Sequence, residues 1–233
     1  YYRHAKRAAH PLLDLRLFSN RYFRTAMIGG LFFRIGIGAF PFLMPLMLQL
    51  TFGLTPFESG LTTFVAAFGA IISKFFAERV YARFGFPRTL MATSLIGCAF
   101  LAINGFFTPA TNHYLLMFSL FVGGLTRSFF FTGVNVFGYA DLDDAQASQG
   151  TAIAAVTQQI SVALGVAVAG GILEAATMVR GGPLDLADFH IAWFIVAGIA
   201  VFSTFAFMRL PPDAGANVSG HQVKPIEKAE APV

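Results

Sequence analysis

The sequence predicts an all-α membrane protein of six transmembrane helices. Its 233 residues are 56% hydrophobic and only 12% charged, whereas a soluble domain carries about 25% charged residues. The charged residues are clustered, and the apolar runs between them are about 20 residues long, enough to cross a hydrocarbon core of roughly 30 Å. These runs are too long and too uniformly apolar for the alternating strands of a membrane β-barrel. Helices are the alternative, because lipid offers the backbone no other hydrogen-bond partners.

The six predicted spans alternate with short connections. They cover residues 25–50, 57–77, 87–107, 114–138, 151–173 and 189–208. Residues 1–24 are predicted to form a lead-in on the membrane surface, because the run PLLDLRLF at 11–18 mixes apolar and charged residues as an interfacial helix does. Residues 210–233 are rich in proline, glycine and charge, which predicts a disordered tail. Residues 25–209 therefore form one transmembrane domain.

Two connections carry the chemistry of helix starts. Thr55, Pro56 and Glu58 supply a capping hydroxyl, a proline at the first helical position and a carboxylate in the first turn. The acidic run DLDD at 141–144 and then Ser148 precede the fifth span, where negative charge suits the helix dipole and the serine is a candidate cap. A catalytic carboxylate pair is the alternative interpretation of this acidic run.

Lysine and arginine are concentrated on one side of the predicted membrane. Six precede residue 25, four lie between residues 74 and 88, and three lie in the tail, so thirteen of the sixteen share this side. The opposite side holds Arg180, and Arg34 and Arg127 lie within spans. By the positive-inside rule both termini are predicted to be cytoplasmic, as an even number of spans requires.

Arg34 and Arg127 lie in the middle of spans, where an ionisable group is costly and indicates function. Counted from the cytoplasmic ends of their spans, both are predicted to lie at a similar depth of roughly 15–17 Å. The motif Gly-Gly-Leu precedes each arginine, at residues 29–31 and 123–125. The first and fourth spans are equivalent if the six helices form two sets of three, which is the inverted repeat of many transporters.

We expect both guanidinium groups to face a water-filled central cavity. There they hold an anionic group of a substrate or a carboxylate of a partner domain, because arginine suits bidentate carboxylate pairing. The alternative is that each arginine is tied to backbone carbonyls or polar side chains within the bundle. Asn135, Gln158 and Gln159 are further candidates for the cavity lining, since amide side chains within spans form interhelical hydrogen bonds.

The sequence offers little for catalysis, metals or cofactors. Cys98 is the one cysteine and lies within a span, so there is no disulfide framework and no paired metal-ligand spacing. The glutamates Glu58, Glu78 and Glu174 all lie near the ends of spans. Arginine does not release a proton at accessible pH, so a carboxylate that couples transport to protons is expected elsewhere. We predict no enzyme, no metal site, no cofactor and no nucleic-acid partner.

Four motifs occur in an order that is similar to a known family. They are PLLDLRLF at 11–18, FRIGIGAFP at 33–41, QQ at 158–159 followed by GVA at 165–167, and LPPDAG at 210–215. This pattern resembles the last six spans of the fourteen-span drug:proton antiporters of the major facilitator superfamily. The resemblance implies the C-terminal half of such a transporter, six helices in a 3+3 inverted repeat, with the first and fourth spans lining the central cavity.

A basic stretch resembles the superfamily's loop between the second and third helices of each half. The residues that carry the resemblance are Lys74, Arg79, Arg83, Gly85 and Arg88. The stretch lacks the acidic residue and the paired basic residues of the full motif. The resemblance implies a conformational role for this loop.

Three functions follow from these observations as hypotheses. The resemblance implies a multidrug efflux transporter of a bacterial cell (inner) membrane that works by alternating access. Its expected partners are amphipathic drugs, protons and a missing N-terminal half of the same transporter. Two cavity arginines without a mid-span carboxylate favour an alternative, the export or import of an anionic metabolite. A six-span homodimeric channel or scaffold is the alternative from another class. Because the chain begins at Tyr1 and not at methionine, we expect a fragment.

Overall fold

The computed structural model describes residues 14–211 and 213–221. Within these residues the chain is almost entirely helical and has no strand. Six helices are long and apolar enough to cross a membrane, which confirms the predicted number of spans. They are α1 (Arg21–Leu50), α2 (Pro56–Phe84), α3 (Phe86–Ile103), α4 (His113–Gly138), α5 (Asp144–Arg180) and α6 (Leu186–Met208), and a short helix α7 (Ala216–Ser219) follows.

Caps, more than the apolar runs, set the ends of these helices. At α2, Thr55 and Glu58 form the predicted capping box, with the Thr55 N–H donating to Glu58 Oε2 at 2.8 Å and the Glu58 N–H to Thr55 Oγ1 at 3.3 Å. α5 extends well beyond both ends of its predicted span. It is capped by the carboxylate of Asp143, whereas the predicted cap, Ser148, lies inside the helix. Polar residues thus continue a helix past its membrane-length core.

Successive long helices run in opposite directions, so the bundle has two ends. We call the end that carries Arg21, Arg83, Arg88 and Arg209 the basic end. α1 packs chiefly on α5 and α6, α2 on α4, and α3 on α4 and α6. If α1, α2 and α3 exchange labels with α4, α5 and α6 in order, the same main pairings result. The packing is therefore that of the expected 3+3 repeat.

Glycines bring two pairs of helices into main-chain contact. A Cβ atom built on Gly124 of α4 would lie 1.9 Å from the carbonyl oxygen of Ala66 in α2. A Cβ atom on Gly165 of α5 would lie 2.3 Å from the carbonyl oxygen of Ile35 in α1. Neither position has room for any side chain, so α1 packs on α5 and α2 on α4 without an intervening side-chain layer.

The segments that flank the helices carry local structure of their own. Asp14 caps a 3-10 helix over Leu15–Ser19, within the predicted interfacial segment 11–18, of which residues 11–13 lie outside the described residues. The tail, predicted to be disordered, packs on the basic end as far as His221. The amide of Asn217 donates to the carbonyl oxygen of Ala140 at 3.0 Å, and Ala214 is buried. Residues 222–233 lie outside the described residues.

Candidate functional site

Arg34 is completely buried in the middle of α1. Its guanidinium lies against Gly30, where a Cβ atom would come within 2.9 Å of Nη1, so the glycine one turn earlier provides the space that the cation occupies. The Nη2 group donates a hydrogen bond to Oδ1 of Asn135 in α4 at 3.3 Å. The guanidinium also lies 5.7 Å from the centre of the Phe131 ring, within the range of a cation–π contact.

These contacts leave the Arg34 cation only partly satisfied. Its Nε and Nη1 have no hydrogen-bond partner among residues 14–211 and 213–221. Within the same residues, no carboxylate lies within 4.0 Å of it, since the ion pairs found there are those of Arg180. A buried cation without an anion is costly. Because Arg34 has no exposed surface in this half, a further acceptor reaches these nitrogens only if the packed helices move apart.

Arg127 occupies the corresponding place in α4. Its guanidinium lies 5.2 Å from the centre of the Phe40 ring of α1, and it is only partly buried. The described residues offer it no hydrogen-bond or ion-pair partner. All of its donors are thus available to a ligand or to a group of another domain.

The two arginines make reciprocal contacts across the seam between α1 and α4. Arg34 of α1 lies over Phe131 of α4, and Arg127 of α4 lies over Phe40 of α1. Their depths differ by less than one helical turn, although the sequence predicted a similar depth. Ala26 packs beside Gly138, and counting from this contact places Arg127 about three residues, roughly 5 Å, farther from the basic end than Arg34.

A cleft of about 410 Å³ opens beside Arg127. Its walls come from four helices and are mainly apolar, with the guanidinium of Arg127 and the hydroxyl of Thr63 as the polar groups. The Thr63 hydroxyl donates to carbonyl oxygens of its own helix, so Arg127 is the main polar group that faces a ligand. The lining residues are Ile37, Gly38, Phe40, Pro41, Pro45, Thr63, Ala66, Ala67, Arg127 and Val162.

The predicted amide residues fall in two different places. Asn135 is exposed and bonds to Arg34, so the structure joins these two predicted residues. Gln158 and Gln159 are exposed on α5 and do not line the cleft. Gln158 lies one turn from Val162, which does line it.

The family model of the Major Facilitator Superfamily matches residues 26–231, which is most of the chain. The chain belongs to the major facilitator superfamily. It is 33% identical over 223 residues to MdtD of Escherichia coli O6:H1, 32% to MdtD of Shigella sonnei and 31% to MdtD of Escherichia coli O157:H7. Their names describe them as candidate multidrug resistance proteins. Each match covers 94% of this chain and 47% of the relative, so the chain spans about half the length of these curated relatives.

The basic stretch of this major facilitator chain is mostly helix and not loop. α2 continues to Phe84 and α3 begins at Phe86, which leaves Gly85 alone between them with φ of 74°. The stretch is helical and not the predicted loop because it contains good helix formers and ends at a glycine that suits a positive φ. Lys74 donates to Oγ1 of Thr132 in α4 at 2.8 Å. The remaining members, Arg79, Arg83 and Arg88, are exposed.

Three residues of the candidate site are not predicted from the sequence. They are Phe40, Phe131 and Thr63. The two phenylalanines are among 28 in the chain, so neither stands out by type. Each ring contacts the arginine of the other helix, so only the register of α1 against α4, which the sequence does not reveal, makes them part of the site.

Proposed function

We propose that the chain is the C-terminal half of a secondary active transporter that exports amphipathic drugs by alternating access, coupled to protons. The observation that carries the proposal is the cleft of about 410 Å³ beside Arg127, in the middle of a bundle of this superfamily. Ligand pockets generally have volumes of about 300–1,000 Å³ with apolar walls and few polar groups. The names of the relatives support drugs as substrates, and they favour transport over a channel, a scaffold or an enzyme.

In this proposal the walls of the cleft bind substrates of varied shape. Phe40, Pro41, Pro45 and Val162 offer apolar contact, which is non-directional and therefore tolerant of different molecules. Arg127 supplies one fixed cationic group. It orients an acceptor group of the substrate or pairs with a carboxylate of the N-terminal half. Arg34 is completely buried within this half, so in this proposal it holds α1 against α4 through Asn135 and Phe131.

Proton coupling is assigned to the other half of the transporter. In the described helices the glutamates lie toward helix ends, and Glu58 already serves in a capping box. Arginine does not exchange protons at accessible pH. We therefore place the carboxylate that binds and releases protons in the N-terminal half, and the basic end of the bundle on the cytoplasmic side.

A second candidate function is the transport of an anionic metabolite. It is favoured by two arginines at the α1–α4 seam that have no carboxylate within 4.0 Å among the described residues. A carboxylate or phosphate ester in the cleft would satisfy the open donors of Arg127 by charge-assisted hydrogen bonds, whereas Arg34 has no exposed surface in this half. The two functions differ in the charge of the substrate, so one experiment separates them.

The experiment measures efflux of a fluorescent cationic drug from cells that express the complete protein, with and without a proton uncoupler. Arg34→Ala and Arg127→Ala are compared with wild type, and Arg16→Ala is the control because Arg16 is exposed in the segment before α1 and does not line the cleft. We expect uncoupler-sensitive efflux that either arginine substitution reduces and the control does not. Absence of drug efflux at adequate expression would favour the anionic metabolite. Normal efflux in both variants would leave the arginines a structural role.

A further inference from the structure

Three arginines converge at the basic end, where α1 begins and α6 ends. Arg21 and Arg24 belong to the first turn of α1, and Arg209 directly follows α6. All three are exposed. They line a groove of about 280 Å³ between the two helices, together with Thr25, Ile28, Gly29, Ala206 and Leu210. None of these residues lines the cleft beside Arg127, so the groove is a separate feature.

No ion pair with a described residue neutralises the positive charge of this groove. None of its arginines has a carboxylate within 4.0 Å there. Arg180 at the other end of the bundle differs, because it pairs with both Asp185 and Asp188. Arg21 also donates through Nη2 to the carbonyl oxygen of Arg209 at 3.1 Å. This bond ties α1 to α6 and holds the two cations on one rim of the groove.

An apolar surface continues from the arginines toward the middle of the bundle. Ile28 is 46% exposed on α1, and Phe202 and Phe205 are 59% and 55% exposed on α6. The ring of Phe32 lies 5.9 Å from that of Phe202, so aromatic side chains of both helices meet along this face. At the floor, a Cβ atom on Gly29 would lie 2.9 Å from Cβ of Ala206. The two helices thus approach each other closely beneath the arginines, and the side chains beyond form the walls.

We infer that this groove binds the phosphate group of an anionic glycerophospholipid. The arginines lie at the ends of membrane-length helices, which is the level of lipid headgroups, and the apolar face runs where acyl chains lie. Guanidinium groups bind phosphate with paired, charge-assisted hydrogen bonds. Basic pockets between transmembrane helices are a known arrangement for binding charged headgroups. A free phosphate would use the arginines but gain nothing from Ile28, Phe202 and Phe205.

Native mass spectrometry of the purified complete protein tests this inference. The probes are dioleoylphosphatidylglycerol, dioleoylphosphatidylcholine with the same acyl chains, and inorganic phosphate. The test variant is Arg24→Gln with Arg209→Gln, which leaves the Arg21 bond to the main chain intact. The control is Arg83→Gln with Arg88→Gln, two exposed arginines of the same end that lie outside the groove.

We expect the test variant to weaken binding of phosphatidylglycerol at least fivefold, with the control variant unchanged and phosphatidylcholine bound weakly by all. Ile28→Glu is a second test that keeps all arginines, because it places a carboxylate four residues after Arg24. It is expected to cause a similar loss, and it decides the matter if the double variant does not fold. Equal phosphatidylglycerol binding by wild type and a folded groove variant would overturn the inference. Displacement of the lipid by an equal concentration of inorganic phosphate would overturn it as well.

Discussion

The guanidinium of Arg127 lies 5.2 Å from the centre of the Phe40 ring, and this contact joins α4 to α1 at the edge of the cleft. The ring presents its face to the cation and leaves the N–H donors free for other partners. A cation–π contact contributes about 0.5–1 kcal/mol at exposed sites and about 2 when desolvated. Phe40 therefore positions the one cationic group that faces the cleft.

Replacing Phe40 with leucine tests this positioning. Phe40→Leu keeps an apolar side chain but removes the ring, so Arg127 is no longer held at its place. We expect a rise of the efflux KM by about 3- to 30-fold, which corresponds to the loss of one cation–π contact. Phe40→Tyr retains the ring and is the matched control, expected to be close to wild type. An equal effect of both substitutions would contradict the role of the ring.

Replacing Arg34 with methionine separates stability from function. The substitution exchanges an incompletely satisfied buried cation for an apolar side chain of similar length, which is often neutral or stabilising. We expect the unfolding temperature of the purified protein to be unchanged or raised, while transport per folded molecule is lost. Arg34→Lys keeps the charge but not the paired donors and is expected to retain only part of the activity. A variant that unfolds at lower temperature yet transports normally would contradict the proposal.

The glycines at helix contacts predict a sharp contrast within α5. Gly165→Ala forces a methyl group to within 2.3 Å of the Ile35 carbonyl oxygen, whereas a Cβ atom on Gly171 would meet nothing within 4 Å. Overpacking costs about 1–3 kcal/mol, and exchange of an uncrowded helical glycine for alanine gains up to about 1. We expect a lower unfolding temperature for Gly165→Ala and an equal or higher one for Gly171→Ala. Equal unfolding temperatures would refute the close approach of α1 and α5.

Carboxylates of this half are predicted not to couple transport to protons. Glu58, Glu78 and Glu174 lie toward helix ends, where water satisfies a charge in either conformation. We expect the three glutamine substitutions, made singly in the complete protein, to leave uncoupler-sensitive efflux intact. The measurement is the drug-induced pH change in vesicles that contain each variant. Loss of this signal in any one of them would assign the coupling carboxylate to this half.

Charge within apolar runs was the strongest signal in the sequence. It located Arg34 and Arg127, because few residues other than cations stand out in a membrane-length helix. Their partners could not be found in this way, since Phe40 and Phe131 are ordinary in composition and matter only through their register across the seam. The small offset in depth was already present in the residue counts, because Arg34 lies nine residues after the predicted start of its span and Arg127 eleven residues before the predicted end of its own.

Local polar residues were less informative about where helices end. The cap of α2 was predicted because three residue types agree within four positions. At α5, Ser148 and the preceding aspartates all qualify as caps, and the structure uses Asp143. The charge of the basic stretch before Gly85 suggested a loop. The backbone continues there as a helix, because the stretch carries no residue that breaks one.

The main-chain contacts at Gly124 and Gly165 limit how this bundle can move. Sliding α5 along α1, or α4 along α2, would drive a neighbouring side chain into a place that holds only hydrogen, so each pair has one register. The two pairs include four of the six spans and leave few internal joints. In the proposed alternating access, we therefore expect the bundle to tilt as one rigid body, so that a displacement at one membrane surface is transmitted to the other.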